Sequence, residues 1–197
     1  MAESSYATMT NYPIAVIGSE YCTPNQVDVV ISRKVKTLRY GEFVVSDMNG
    51  ILCSKLKMLT EHSRWNAFKG ESTDEKDFLF TMKTTSIFHL KMKTELVIFL
   101  ANNNSKEKNC DYLIKGNWTD RSCVIYAGDP FTIVAQMQKK ITAKSLLIGK
   151  DNFMVTMCPN IDQAFIVSLI VVLDAINAVN DAAVIGAAAG LGVALGS

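Results

Sequence analysis

The residues that could do chemistry are few and widely spaced in this chain. The two histidines are His62 and His89, and the five cysteines include no CxxC pair. No GxSxG nucleophile motif, phosphate-binding glycine loop or GxGxxG motif occurs. Because a zinc site needs clustered Cys and His ligands and a hydrolase needs a nucleophile beside a base, the sequence predicts no catalytic residue, no resident metal and no cofactor. Unpaired thiols are typical of a reducing compartment.

Basic side chains form the more promising pattern. One predicted strand carries two lysines on the face of His89, and three more lysines flank a turn further along the chain. Such clusters bind anionic lipid head groups at ~1 kcal/mol per near-surface charge, although solvated lysines on outward strand faces are the plainer interpretation. The candidate head-group ligands are Lys91, Lys93, Lys139, Lys140 and Lys144.

The overall charge narrows the class of partner. Lys and Arg total 20 and Asp and Glu total 19, giving a formal net charge of +1. Dedicated nucleic-acid-binding domains usually carry a clear basic excess, so no specific nucleic-acid partner is expected.

The N-terminal residues lack the basic and apolar regions of a secretory signal, which predicts a cytoplasmic location.

These side chains must be positioned by short β-strands. The chain has 197 residues, 49% of them hydrophobic, which suits one globular domain. Strand-like runs separated by Gly, Asn and Asp turns predict an antiparallel barrel or sandwich. Asn49-Gly50 is a strong hairpin signal. The predicted strands cover residues 26–35, 42–46, 51–57, 78–83, 88–92, 95–100, 111–116, 122–127, 132–138, 145–149 and 153–158.

A different segment follows Pro159. Asn160 with Gln163 resembles a capping box, and residues 164–173 contain one polar residue, Ser168. A helix that is apolar on all sides needs apolar surroundings, and this run is too short for a membrane span of ~20 residues. We therefore predict a helix over about 160–180 that is buried inside the barrel, with Phe165, Ile166, Leu169, Ile170 and Leu173 in contact with the strands.

The predicted domain organisation follows from these elements. Residues 1–20 are expected to form a flexible N-terminal arm, and residues 21–181 the barrel with its helix. Residues 182–197 are a Gly/Ala-rich tail without charge. A flexible or weakly helical tail is the first interpretation, and a weak hydrophobic contact with a membrane or a partner is the alternative.

Several motifs in this order resemble the plant LURP-one-related family, which belongs with tubby C-terminal domains and phospholipid scramblases. The resemblance covers roughly residues 21–177. It implies a mainly β fold: an antiparallel tubby-like barrel around a central hydrophobic C-terminal helix. Its matching motifs include residues 46–50 (SDMNG), 62–65 (HSRW), 115–118 (KGNW) and 159–162 (PNID). The strongest are residues 121–128 (RSCVIYAG), 133–137 (IVAQM) and 149–153 (GKDNF).

One departure from the family pattern concerns residues 57–62. There the predicted strand runs almost directly into His62, where the family has a further β-hairpin. A loss of about two strands predicts two unpaired edges, lower stability and a tendency to associate. Direct pairing of Ile51–Lys57 with Ser63–Phe68 is the alternative that would close the gap.

The resemblance also carries functional expectations. It implies a non-enzymatic module that binds phosphoinositides or a membrane surface, or that signals, in plant defence. The expected partner is an anionic phospholipid or an unidentified protein, at the plasma membrane periphery. The alternative is a scramblase-like lipid-handling protein with weak calcium binding through Asp151, Asn152 and Asp162. That stretch offers fewer than the ~6–8 oxygens that calcium prefers, so a turn and a helix N-terminus is the favoured interpretation.

Overall fold

The computed structural model describes residues 13–32, 42–46, 52–61, 64–85, 94–117, 122–128, 132–138, 152–174 and 176. Within them, ten strands form one antiparallel sheet and an α-helix follows the last strand. The predicted mainly β fold with a C-terminal helix is therefore confirmed. The predicted strands at 88–92 and 145–149 lie outside the described residues. The strands are β1 (Val27–Ser32), β2 (Glu42–Ser46), β3 (Leu52–Glu61), β4 (Arg64–Lys69), β5 (Phe78–Thr84), β6 (Thr94–Leu100), β7 (Tyr112–Asn117), β8 (Ser122–Ala127), β9 (Ile133–Gln138) and β10 (Asn152–Met157).

The strands follow one another as a meander. From β2 to β10 each strand pairs with its neighbour in sequence, and β1 pairs with β10. Because successive side chains point to opposite faces of a strand, alternate residues enter the core. On β6, Leu96 and Ile98 are fully buried in the main hydrophobic core, and on β8 Cys123 and Ile125 are as well. The inner face of the sheet is thus apolar and the outer face is mixed.

Residues 163–174 and 176 are helical and pack against this inner face. Phe165, Ile166, Leu169, Ile170 and Leu173 each have 0% exposure, as predicted for a helix that is apolar on all sides. The Phe165 ring meets the rings of Phe80 and Tyr112 edge-on, with centroids 5.3 and 4.9 Å away. Since each large buried apolar side chain contributes about 1.5–3 kcal/mol, the helix is a main source of stability.

The polar atom inside this helix is satisfied locally. Ser168 is 1% exposed, and its hydroxyl donates a 2.6 Å hydrogen bond to the carbonyl of Phe165. A buried hydroxyl without such a partner would be costly. The serine therefore fits the core without a partner from another element.

The start of the helix differs from the prediction. Asn160 has φ of 60° and lies in a turn before the helix. Asp162 is the capping residue: its Oδ1 accepts a 2.9 Å hydrogen bond from the Phe165 amide. The Gln163 side chain donates to Thr23 Oγ1 at 2.9 Å instead of closing a capping box. The capping residue is thus two positions later than predicted, because Asn160 belongs to the turn that precedes the helix.

Residues 13–20 lie against the start of the helix, in contrast to the predicted loose arm. The Ile14 amide donates to the carbonyl of Asn160 at 2.8 Å, and Ile14 forms a parallel bridge with Ile161. Ile17 is 6% exposed and belongs to the main core. Apolar burial and backbone hydrogen bonds hold this segment, and neither was visible from its mixed composition.

The region at 57–62 is closed by direct strand pairing. β3 pairs with β4 in continuous register from Leu56 opposite Lys69 to Glu61 opposite Arg64. The unpaired edges predicted there are therefore wrong. The two strands pair directly, as in the alternative, but the paired residues are Leu56–Glu61 with Arg64–Lys69 and not Ile51–Lys57 with Ser63–Phe68. Strand β3 is also longer than predicted, since it extends to Glu61. An even number of strands can be lost from an antiparallel sheet without changing the direction of the strands that remain.

The two outermost strands of the sheet are β1 and β2. Within the described part of the chain, no ladder joins them, so the sheet is not closed into a complete barrel. Residues 33–41, which connect these strands, lie outside the described residues. The opening of the sheet therefore lies between β1 and β2 and not at the shortened region.

Candidate functional site

The lysines predicted to bind lipid head groups all lie outside the described residues. They are Lys91, Lys93, Lys139, Lys140 and Lys144. Their assignment as lipid head-group ligands therefore remains a prediction. The structure instead presents a charged cluster on the outer face of the sheet that the sequence analysis did not identify.

Asp162, which was considered as a calcium ligand, uses its carboxylate to accept hydrogen bonds from backbone amides. The residue is 0% exposed, and its Oδ2 accepts hydrogen bonds from the amides of Val16, Ile17 and Gly18 at 3.0, 2.6 and 3.1 Å. Within the described residues, no group of three His, Cys, Asp or Glu side chains is placed to hold a metal ion. Asp162 is therefore a structural residue that joins the N-terminal segment to the helix.

Three of the described cysteines lie where burial raises the pKa of the thiol. Within the described residues, Cys22, Cys110, Cys123 and Cys158 form no disulfide. Burial raises the pKa of Cys22, Cys110 and Cys158, and the nearby Asp162 carboxylate adds to the effect at Cys22. Because the thiolate is the reactive form, these three residues are poor nucleophiles at neutral pH.

Arg64, Lys83 and Glu107 form what we call the outer cluster. Arg64 on β4 lies directly opposite Lys83 on β5, and Glu107 reaches both from the β6–β7 loop. The Arg64 guanidinium donates from Nη1 to Oε1 at 2.9 Å and from Nη2 to Oε2 at 3.2 Å. The Lys83 ammonium also donates to Oε2. The arrangement is a bidentate arginine–carboxylate pair with a second cation on one oxygen.

The electrostatics of the outer cluster favour an anion. Two like charges directly opposite one another on paired strands repel, and the Glu107 carboxylate relieves this repulsion. The hydrogen bond from Lys83, together with the hydrogen bond and charge of Arg64, lowers the pKa of Glu107 below its ordinary value of 4.5. Lys106 and Lys108, both exposed, flank Glu107 in sequence. The surface around the carboxylate is thus basic.

The β6–β7 loop, residues 101–110, is built by its own side chains. The Asp111 carboxylate accepts hydrogen bonds from the Leu100 amide and from Asn103 Nδ2, both at 2.7 Å. Asn103 Oδ1 accepts from Ser105 Oγ at 2.6 Å, and Ser105 Oγ in turn accepts from the Asn109 amide at 3.1 Å. The polar residues of the loop therefore fix its path and place Glu107.

The loop adopts an unfavourable backbone conformation where it meets the sheet. Lys106 and Glu107 have φ of 51° and 62°. A left-handed conformation is disfavoured for residues with a Cβ, at about 1–3 kcal/mol for each held position. Hydrogen bonds to Ser105 span these two residues: its carbonyl accepts from the Lys108 amide at 3.2 Å and its Oγ accepts from the Asn109 amide at 3.1 Å.

The outer face beside the cluster is partly covered. Phe99 alternates with the inward Ile98 on β6, yet it is 7% exposed, and the Lys83 ammonium lies 5.3 Å from its ring centroid. Thr81, on the next strand, is 4% exposed and donates a 2.6 Å hydrogen bond to Asn66 Oδ1. An apolar ring and a satisfied polar pair therefore lie beside the charged groups.

Sequence reasoning missed the outer cluster because its members come from three separate segments. Arg64 belongs to a motif quoted for the family resemblance, and strand alternation placed Lys83 outward. The polar loop was predicted, but nothing in its composition shows that it folds back over β5 and β4. A single carboxylate between two lysines, at residues 106–108, was the available signal.

Comparison with known proteins places this architecture among related chains. The LURP-one-related family matches residues 25–174. Among Arabidopsis thaliana proteins, the chain is 43% identical to Protein LURP-one-related 15, with 82% of this chain and 85% of the relative covered. It is 45% identical to Protein LURP-one-related 10, covering 83% and 97% respectively. It is 42% identical to Protein LURP1, covering 82% and 89%.

The fold has a counterpart of known structure. The chain resembles a crystal structure of an Arabidopsis thaliana protein with a TM-score of 0.58 and 40% sequence identity, over 83% of this chain and 98% of the other. The alignment with Protein LURP-one-related 15 is 188 positions long. This is longer than the part of the present chain that it covers, which is 82% of 197 residues. This chain therefore lacks residues that the relative has inside the aligned region.

Proposed function

This chain belongs to the LURP-one-related family, and from this premise we propose that it is a non-enzymatic binding module of plant defence that acts at an anionic phospholipid surface. The observation that carries the proposal is the basic character of the outer cluster. Arg64 and Lys83 are opposed on neighbouring strands, and the exposed Lys106 and Lys108 flank Glu107 in sequence. One carboxylate, that of Glu107, is bound between them.

The position of these charges suits a surface ligand. The helix side chains fill the inner face of the sheet, so the polar groups that a ligand can reach lie on the outside. Each lysine or arginine near an anionic membrane contributes about 1 kcal/mol of attraction. Lys106 and Lys108 together would then strengthen binding by about thirtyfold. The predicted ligands Lys91, Lys93, Lys139, Lys140 and Lys144 belong to the same proposal.

The rest of the described chain is in keeping with a peripheral contact. Within it, no helix combines the length and the apolar character needed to cross a bilayer. We propose a cytoplasmic protein that reaches the plasma membrane through surface charge. The defence setting rests on the family and on the similarity to Protein LURP1.

Vesicle co-sedimentation tests this function. The full chain is mixed with vesicles of phosphatidylcholine alone, and with vesicles that also contain phosphatidylserine or phosphatidylinositol 4-phosphate. We expect binding to the anionic vesicles only, and about thirtyfold weaker binding by the Lys106→Gln/Lys108→Gln variant. Increasing salt should reduce binding, because screening weakens attraction between exposed charges.

A matched control locates the effect. Lys76 is exposed and lies in the connection at the opposite end of the β4–β5 hairpin. Lys76→Gln removes a lysine charge away from the outer cluster and should bind as the wild type does. Equal binding to neutral and anionic vesicles would refute the proposed function, and equal loss in both variants would refute its assignment to this surface.

A further inference from the structure

The Glu107 carboxylate occupies the outer cluster in the way that a bound anion would. Its two oxygens accept from the two terminal nitrogens of Arg64, and one of them also accepts from Lys83. The planar arginine fork is suited to two oxygens of either a carboxylate or a phosphate. The site is therefore already shaped for an oxyanion, and a side chain of the protein occupies it.

The contact that holds Glu107 is open to exchange. The Glu107 and Lys83 side chains are 35% and 27% exposed, and that of Arg64 is 38% exposed. Ion pairs with this solvent access are weak compared with buried ones. An incoming anion can thus replace the Glu107 carboxylate without a change in the loop backbone, which its own hydrogen bonds hold.

We propose that Arg64 and Lys83 form a phosphate-binding site and that Glu107 is an internal competitor which closes it. A ligand phosphate displaces the Glu107 carboxylate, taking the arginine fork with two oxygens and the Lys83 ammonium with a third. The Glu107 side chain then turns away, while the hydrogen bonds within the β6–β7 loop keep the loop in place. This inference deepens the proposed function, since it names the phosphate group as the ligand and Glu107 as its regulator.

The charge balance favours phosphate over a second carboxylate. A phosphomonoester carries about −1.5 to −2 charges at neutral pH and three acceptor oxygens. It brings more negative charge to the two cations than the single charge of the Glu107 carboxylate, in addition to Glu61, which lies opposite Arg64 on β3. Lys106 and Lys108 flank Glu107 in sequence and would remain near the ligand. Only molecules in which Glu107 has left the cations can bind the ligand, so the apparent affinity falls with the fraction of those molecules. Removing the Glu107 carboxylate should therefore raise the apparent affinity to its intrinsic value.

The test compares Glu107→Gln with wild type, using two probes that share the phosphate group. Inositol hexakisphosphate supplies it in solution, and vesicles of phosphatidylcholine with phosphatidylinositol 4-phosphate supply it on a membrane. We expect Glu107→Gln to bind at least one probe about tenfold more tightly than wild type, the effect of lifting a competitor that closes about nine molecules in ten. Glu107→Ala should behave in the same way.

A second carboxylate provides the matched control. Glu95 pairs with Lys115 at 3.9 Å and has a 44% exposed side chain. Glu95→Gln changes the net charge equally but leaves the outer cluster intact. If Glu95→Gln tightens binding as much as Glu107→Gln does, the effect is one of net charge and the proposal is wrong.

The remaining outcomes separate this proposal from the proposed function. The Arg64→Gln/Glu107→Gln variant should lose the gain, because the fork itself is removed. Tighter binding of inositol hexakisphosphate with no vesicle binding would support the phosphate site and refute the membrane function. Vesicle binding by the wild type with no gain in Glu107→Gln for either probe would support the membrane function and overturn the competitor role. No binding of either probe by Glu107→Gln would overturn the phosphate site itself.

Discussion

The Asp162 carboxylate accepts a hydrogen bond from the Ile17 amide at 2.6 Å and so joins two residues that are 145 positions apart. The same oxygen also accepts from the amides of Val16 and Gly18, while the other caps the helix at Phe165. One buried side chain therefore satisfies four backbone donors. It couples the N-terminal segment to the helix that fills the sheet.

Replacing Asp162 by Asn is expected to lower the free energy of unfolding by roughly 2–4 kcal/mol, because hydrogen bonds to a buried charged group are strong and unsatisfied donors are costly. The asparagine keeps one oxygen acceptor but turns an NH₂ donor towards backbone N–H groups. Urea denaturation measures the change. Asp74→Asn is the control, since the Asp74 side chain is 66% exposed. A loss no larger than that of the control would contradict the capping role.

Leu169 reports on the central helix. It is 0% exposed, so Leu169→Ala should cost about 2–5 kcal/mol in urea denaturation through lost contacts and a cavity. Val167 on the same helix is only partly buried, and Val167→Ala should cost clearly less. Leu169→Asp should prevent folding, because an unpaired buried charge is prohibitive. A soluble, folded Leu169→Asp protein would rule out a helix enclosed by strands.

Tyr112 is expected to make stability depend on pH in the alkaline range. Burial, with the nearby charges of Asp111 and Asp162, raises its pKa from 10.0 to about 12. Between those values the unfolded chain loses the phenolic proton while the folded chain keeps it, so stability falls as pH rises. The loss should reach about 2–3 kcal/mol, and Tyr112→Phe should not show it. Tyrosinate absorbance that shows Tyr112 ionising near its ordinary value would contradict this prediction.

Glu107 is expected to give the opposite dependence in acid. Its pKa is held below the ordinary 4.5 by Lys83 and Arg64, so its stabilising contribution is complete above that value and disappears as pH falls through the lowered pKa. The difference in Tm between wild type and Glu107→Gln should be present at neutral pH and vanish in acid. Glu95→Gln serves as the control. A difference that persists unchanged at low pH would show that the carboxylate charge does not hold the loop.

Much of the fold could be predicted from local patterns. The burial of Phe165, Leu169 and Leu173 followed from an apolar run with no polar face, since such a helix is stable only when it is enclosed. The strands followed from alternation and from turn residues, and the order of short motifs identified the family. These properties depend on residues that are close in sequence, so they can be predicted without knowledge of the tertiary structure.

Other features depend on which distant segments meet. The sequence showed a shortening before His62, but whether β3 and β4 pair across it was decided by the register that the whole sheet imposes. It showed an acidic residue in the first helical turn, but Asp162 became a structural capping residue because the N-terminal segment presents three amides to it. Hydrogen-bond partners far apart in sequence leave no local pattern.

The outer cluster also combines features that the sequence predicts with a contact that it does not predict. The sequence by itself determined that Lys83 points away from the core and that residues 102–109 form a polar loop, because both follow from strand alternation and turn composition. Only the tertiary structure decided that Glu107 lies between Arg64 and Lys83. That contact depends on the loop folding back across two strands, and the energy of an ion pair depends on a distance that no sequence spacing specifies.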